Sequence, residues 1–206
     1  RRGFVALMLV SWLPFIIRAV QIYASTNMPQ LAFIAPTAET FRQFLDQQAI
    51  FMFFVTVYAG AGLIANDRRA NALQIYLSKP LGRAEYIGGK LAVLMTFLLI
   101  ITWVPAMALL LVQIAFSGSL AFLRDNVMLV PAITLLSFLE SAIAGAAMLA
   151  LSSLSNNSRF VGILFTALLF FSDALYAVMR AVTGGTSVSW IAFSNNLAQI
   201  GDLIFR

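Results

Sequence analysis

The sequence predicts an all-α membrane protein, a polytopic helical bundle with five spans visible of an expected six. Of its 206 residues, 61% are hydrophobic and 10% are charged, whereas a soluble domain carries about 25% charged residues. Apolar runs of about 18 or more residues recur, which is long enough to cross a hydrocarbon core of about 30 Å. The runs do not alternate polar and apolar residues, which excludes the strands of a transmembrane barrel. We therefore expect a single transmembrane domain over residues 1–206.

The five spans follow the apolar runs in chain order. They are predicted at about 3–23, 48–65, 84–116, 127–154 and 160–182. The third is long enough to extend beyond the bilayer. Pro14, Pro105 and Pro131 can each bend the span that contains it, because proline removes a helical hydrogen bond.

The segment after the fifth span has a different pattern. Within residues 187–205, apolar residues recur at helical spacing, which predicts an outer interfacial helix; they are Trp190, Phe193, Leu197, Ile200 and Ile204. Such a helix commonly leads into another span. We therefore expect a sixth span beyond Arg206.

The orientation of the spans follows from the placement of Lys and Arg. With the N-terminus in the cytoplasm, the cytoplasmic side collects eight of these residues and the outer side five. The eight are Arg1, Arg2, Arg68, Arg69, Lys79, Arg83, Lys90 and Arg159; the five are Arg18, Arg42, Arg124, Arg180 and Arg206. This predicts a multi-pass protein of the inner (plasma) membrane with a cytoplasmic N-terminus. The net charge of +5 then reflects membrane orientation, and no nucleic-acid partner is expected.

A charged segment, Gly60 to Lys90, separates the second and third spans. It carries seven ionisable side chains from Asp67 to Lys90. Such side chains are costly in contact with lipid, so this segment is expected to lie in water. Asn66 and Asp67 can cap a short helix over about 67–77, because their side-chain oxygens accept from first-turn amides. Pro80 and Gly82 then break this helix. A new helix starts at Arg83 and continues into the third span.

At this point the residues resemble a known family. The runs Gly62-Leu-Ile-Ala-Asn-Asp67, Leu73-Gln-Ile-Tyr-Leu-Ser-Lys-Pro80 and Arg83-Ala-Glu-Tyr-Ile-Gly-Gly-Lys90 are similar to a motif of ABC transporter permeases of the type-2 exporter class (ABC-2). The acidic position, commonly Glu in that family, is Asp67 here. Gly82 stands where Ser or Thr often caps the following helix.

The resemblance implies that 67–77 is a cytoplasmic coupling helix, which would seat in a groove of a separate ATPase subunit. The implied contact residues are Asp67, Arg68, Arg69, Asn71, Leu73, Gln74, Tyr76 and Leu77. The sequence contains no Gly-x-x-x-x-Gly-Lys-Ser/Thr phosphate loop, so nucleotide chemistry needs another polypeptide. We expect no enzyme activity and no bound cofactor in this chain, with ATP and Mg on the partner.

Further partners follow from the same interpretation. Five or six spans are too few for a full pathway, which favours a second permease copy in a homodimer. The complex would export a substrate that the sequence does not name. In a variant of this hypothesis, it would transmit force to a periplasmic or extracellular partner.

Three ionisable residues inside the predicted spans are candidates for function. Glu140 lies near the middle of the fourth span, where a lone acid costs about 2.5–3.5 kcal/mol on insertion scales. It is either a substrate or proton contact or a paired structural residue. Arg18 either pairs with Asp173 or extends its side chain to the membrane interface.

Two other classes of protein remain open. An ion-coupled secondary carrier would use Glu140 as its titrating group, although such folds commonly show internal repeats and none is visible here. An intramembrane enzyme is the weakest hypothesis, because the sequence contains no His and no Cys. The same absence argues against a metal site.

Overall fold

The computed structural model describes residues 2–72, 82–118, 121–184 and 189–205. This part of the chain is helical and contains no strand. Its α-helices are α1 (Arg2–Val10), α2 (Leu13–Asn27), α3 (Ala38–Val55), α4 (Ala65–Arg69), α5 (Arg83–Ile101), α6 (Trp103–Ser117), α7 (Ala121–Asp125), α8 (Leu129–Leu154), α9 (Ser158–Thr183) and α10 (Phe193–Ile204). Two 3-10 helices, Pro29–Ile34 and Ser189–Ile191, and a π-helix, Thr56–Gly60, complete the described elements.

Five helical stretches in the described residues are long and apolar enough to cross a membrane. They are Arg2–Asn27, Ala38–Arg69, Arg83–Ser117, Leu129–Leu154 and Ser158–Thr183. Each contains or closely matches one predicted span, so the all-α, multi-pass organisation is confirmed. The predicted outer helix over 187–205 corresponds to α10 and the short 3-10 helix before it, with Trp190 71% exposed.

The second span begins earlier than the sequence predicted. The prediction started it near Gln48, whereas α3 begins at Ala38. The additional turns are amphipathic: Phe41, Phe44 and Leu45 are fully buried at the spacing of one helix face. Polar residues on the other face lower the mean hydropathy of this part, which is why the predicted span did not include it.

Two of the three prolines coincide with interruptions. The first span is interrupted between α1 and α2, just before Pro14, and the third is interrupted at Thr102, three residues before Pro105. Proline has no N–H to donate to the carbonyl four residues earlier. Pro131 is the third residue of α8, where the first-turn amides lack helical acceptors in any case, so no bend is needed.

The chain forms two compact units. Unit 1 comprises the described residues of Arg1–Val55, Thr96–Ser141 and Ile204–Arg206, and unit 2 those of Thr56–Met95 and Ala142–Leu203. The core of unit 1 is built by α2, α3, α6 and α8; its buried residues are Ile22, Phe41, Phe44, Leu45, Ala106, Leu109, Leu110, Leu129, Ile133 and Leu136.

Unit 2 is held together by close helix contacts at glycine. A Cβ atom on Gly145 of α8 would lie 2.9 Å from Leu91 Cδ1 of α5. A Cβ on Gly60 of the π-helix would lie 2.5 Å from Met148 Cγ of α8. Small residues allow such close approach between spans. The absence of a side chain at Gly145 therefore lets α8 pack closely against α5.

Candidate functional site

The end of the second span is irregular and leads into the charged segment. The π-helix Thr56–Gly60 is followed by turns at 61–64 and then by the short helix α4. Asn71 has a φ of 53°, the left-handed conformation that ends helices and that Asn tolerates better than most residues. We call Thr56–Asn71 the junction.

Ser152 of α8 supplies the hydrogen bonds that the junction lacks. Its Oγ accepts from the backbone N–H of Ile64 at 3.1 Å and of Ala65 at 3.0 Å, and donates to the carbonyl of Ala61 at 2.9 Å. All four residues are buried. The first amides of a helix need acceptors from outside the helix. A hydroxyl from another span therefore caps α4.

This cap replaces the one that the sequence predicted. Asn66 and Asp67 lie inside α4, and the residue at its N-cap position is Ile64, which makes no side-chain cap. The described part of the predicted helix over 67–77 also differs, because the helix there starts at Ala65 and ends at Arg69. The remaining predicted contact residues, Leu73, Gln74, Tyr76 and Leu77, lie outside the described residues.

Asp67 connects the junction to the third span. Its carboxylate accepts a hydrogen bond of 2.7 Å from the Tyr86 hydroxyl and forms an ion pair of 2.7 Å with Lys90 Nζ. Tyr86 and Lys90 are one helical turn apart on α5, and Lys90 Nζ lies 5.5 Å from the Tyr86 ring centroid, within cation–π range. The ion pair is partly shielded, with side chains 19% and 25% exposed.

The basic residues of α4 have two different roles. Arg68 donates to the backbone carbonyl of Ser153, so it also binds the end of α8. Arg69 and Asn71 are exposed. Of the predicted contact residues that are described, Asp67 and Arg68 thus hold the junction in place, and Arg69 and Asn71 present a surface.

The third span starts as the sequence predicted, at Arg83. The carboxylate of Glu85 accepts from the N–H of Gly82 at 2.7 Å. This is the returning half of a capping box, in which the third helical residue binds the cap residue's amide. Gly82 has no side-chain oxygen to accept from the Glu85 amide in return, so only this half of the capping box is formed.

Glu140 belongs to a buried polar group in unit 1. It is 8% exposed, and Ser137 and Ser141 on the same face of α8 are fully buried. Arg42 and Asp46 of α3, which form an ion pair with each other, lie close enough to act electrostatically on Glu140. The position of Glu140 agrees with the expectation that an intramembrane acid faces protein rather than lipid.

The other two intramembrane candidates have local polar partners. Arg18 Nη1 donates to Gln21 Oε1 at 3.0 Å, and Gln21 Nε2 donates to the carbonyl of Ile34. Asp173 Oδ1 accepts from Ser194 Oγ at 2.7 Å, which connects α9 to α10. These bonds give both residues a structural role within their own units.

Sequence reasoning missed the residues that hold the junction. Tyr86 and Lys90 stand four residues apart, a spacing that places them on one helix face and could have marked them as a pair facing Asp67. Ser152 gave no comparable signal, because a serine in a membrane helix usually bonds to its own backbone. Its partners lie 87 to 91 residues away.

No protein-family model matches the chain, and neither a curated protein nor a solved structure matches it. Among the described residues, no group of three or more His, Cys, Asp or Glu side chains could hold a metal ion. The fold thus defines the class of the protein: it is an all-α, multi-pass membrane protein. The irregular end of its second span is bonded to the third and fourth spans.

Proposed function

We propose that the chain is the membrane-spanning permease subunit of an ATP-driven transporter of the ABC-2 type. A separate ATPase subunit would bind the exposed part of the junction on the cytoplasmic side. Closure of that subunit around ATP would drive export of a substrate or transmit force to an extracytoplasmic partner. Two permease copies would form the pathway.

The observation that carries the proposal is the attachment of the junction to two other spans. Asp67 binds Tyr86 and Lys90 of α5. Ala65 and Arg68 attach the junction to α8, through the Ser152 hydroxyl and the Ser153 carbonyl. A force applied to the exposed Arg69 or Asn71 would therefore move α5 and α8 as well as α3. This is the mechanical property that a coupling element requires.

The proposal is tested by site-specific photocross-linking in cells that produce the full-length protein. A benzophenone amino acid at Arg69 or Asn71 should cross-link to a polypeptide whose tryptic peptides include a Gly-x-x-x-x-Gly-Lys-Ser/Thr loop. The same group at Arg124, an exposed arginine of α7, is the control and should not capture it. Equal capture at both positions would exclude a coupling role for the junction.

Charge reversal sharpens the same test. Arg69→Glu should weaken association with the purified ATPase subunit roughly tenfold, because it replaces a cation at the proposed interface with an anion. Arg124→Glu is the matched control, since it reverses the same charge on a different helix and should leave the affinity unchanged. Affinities can be compared by titration in detergent.

The alternative function is an ion-coupled secondary carrier that uses Glu140. What favours it is the burial of Glu140 within electrostatic range of Arg42 and Asp46, since buried acids in spans commonly mark ion or proton pathways. Transport in proteoliposomes that persists without ATP, collapses with the proton gradient and is lost in Glu140→Gln would select this function over the first.

A further inference from the structure

Unit 2 contains a groove of about 820 Å³ between the junction and the first half of α9. Its lining includes several small residues: Ala61 and Gly62 of the junction, and Gly162 and Ala167 of α9. A Cβ atom on Gly162 would lie 3.2 Å from Val57 Cγ1, so even one added carbon would crowd the floor of the groove.

One end of the groove is polar and positively charged. Asn66, Ser158 and Arg159 line it there, and none of the residues that line the groove is acidic. Arg159 is exposed, and no carboxylate among the described residues forms an ion pair with its side chain. It also lies in the first turn of the 26-residue helix α9, the end at which the helix dipole is positive.

The rest of the groove is apolar and open. Tyr58, Ile163 and Phe170 line it and are 56%, 65% and 66% exposed. From Ser158 to Phe170 the helix rises about 18 Å at 1.5 Å per residue. One leaflet of the hydrocarbon core is about 15 Å deep. The groove is therefore about as long as one leaflet is deep, and its charged end lies at the start of the candidate span Ser158–Thr183, where a lipid headgroup would lie.

We propose that the groove binds one anionic phospholipid. An acyl chain lies along Tyr58, Ile163 and Phe170, and the phosphate lies beside Arg159. Charge complementarity selects an anionic headgroup, because the lining offers a cation and no carboxylate for the positive group of a zwitterionic lipid. The bound lipid would touch the junction at Val57 and Tyr58, which belong to its π-helix.

Native mass spectrometry of the full chain in detergent tests the proposal. The protein is titrated with phosphatidylglycerol and, separately, with phosphatidylcholine of the same acyl chains. Phosphatidylglycerol should bind to one site about fivefold more tightly, the effect of one cation near an anionic headgroup. Equal affinity for the two lipids in the wild-type protein would overturn the proposal.

Two variants and one control locate the site. Arg159→Gln should remove the fivefold preference, while Arg180→Gln, which neutralises an exposed arginine at the other end of α9, should keep it. Ala167→Phe should fill the groove and weaken binding of both lipids. Thermal unfolding in detergent checks that each variant is folded, and Arg159→Gln alters only an exposed side chain.

The contrary outcomes are equally defined. If Arg159→Gln retains the preference for phosphatidylglycerol, the headgroup does not bind at this end of the groove. If Ala167→Phe leaves lipid binding unchanged but lowers the proportion of dimer in the mass spectrum, the groove is covered by a second copy of the chain. Either result would overturn the lipid assignment.

Discussion

The second and third spans are both interrupted, and the polar groups at the two interruptions find their partners in different parts of the chain. The third span breaks at Thr102, where the Thr102 hydroxyl donates to the carbonyl of Leu98, one turn back in the same span. The second span breaks within Thr56–Ile64, where the missing partners come from Ser152 of another span. At the first of these breaks the polar groups bond within their own span, and at the second they bond to a distant part of the chain.

The difference teaches how a break can act mechanically. A locally repaired break is a bend that can change without disturbing its neighbours, because its hydrogen bonds move with it. A break repaired by another helix holds the two helices together, since buried amides without acceptors are costly. Movement of the junction away from α8 would require these bonds to break or α8 to follow.

Removing the repairing hydroxyl should have the largest effect. Ser152→Ala leaves two buried N–H groups and one buried carbonyl without their partner, and should lower the free energy of unfolding by roughly 3 kcal/mol. Thermal and denaturant-induced unfolding in detergent, followed by tryptophan fluorescence, would measure it.

The neighbouring residue offers a matched control. Ser153 is exposed, and its hydroxyl donates to the carbonyl of Ala150 in its own helix. Ser153→Ala should change stability by less than about 0.5 kcal/mol. If the two alanine variants were equally stable, the second break would not depend on α8.

Packing at the second break gives the next prediction. Gly60→Ala places a methyl group 2.5 Å from Met148 Cγ and should destabilise the protein by about 1–3 kcal/mol. Gly89→Ala is the control, because nothing lies within 4 Å of its Cβ position. The control should stabilise α5 by about 0.5–1 kcal/mol, so the two substitutions should shift the unfolding temperature in opposite directions.

The smallest effect is expected at the third-span break. Thr102→Val removes one hydroxyl, but the Leu98 carbonyl still accepts from the Thr102 N–H at 3.0 Å. The loss should therefore be below about 1 kcal/mol. A loss equal to that of Ser152→Ala would show that the two breaks do not differ in how they are held.

Much of the fold could be predicted from the sequence, because spans are long apolar runs that need no knowledge of their neighbours. The ends of spans were harder. The amphipathic start of α3 has polar residues such as Gln43 and Gln47 beside its buried phenylalanines, and average hydropathy hides that face. The interruptions before Pro14 and Pro105 were visible, since proline acts within a few residues.

The candidate site could be predicted only in part. Charge marked the segment around Asp67, because that signal is local, whereas the predicted break at Pro80 lies outside the described residues. The cap of α4 by Ser152 and the attachment of Asp67 to Lys90 depend on which spans are neighbours, and a single sequence does not encode that in any local pattern. The capping role assigned to Asn66 and Asp67 was wrong for this reason.

The distant cap also has a consequence for biosynthesis. Ser152 is translated 87 residues after Ala65 and 88 after Ile64. At about 5–20 residues per second, the ribosome needs roughly 4–17 s to reach it. Throughout that interval the first turn of α4 lacks its acceptor, so the junction can mature only after the fourth span has been made. A nascent chain arrested before Ser152 should therefore expose α4 to protease, whereas one arrested well beyond it should protect the same bonds.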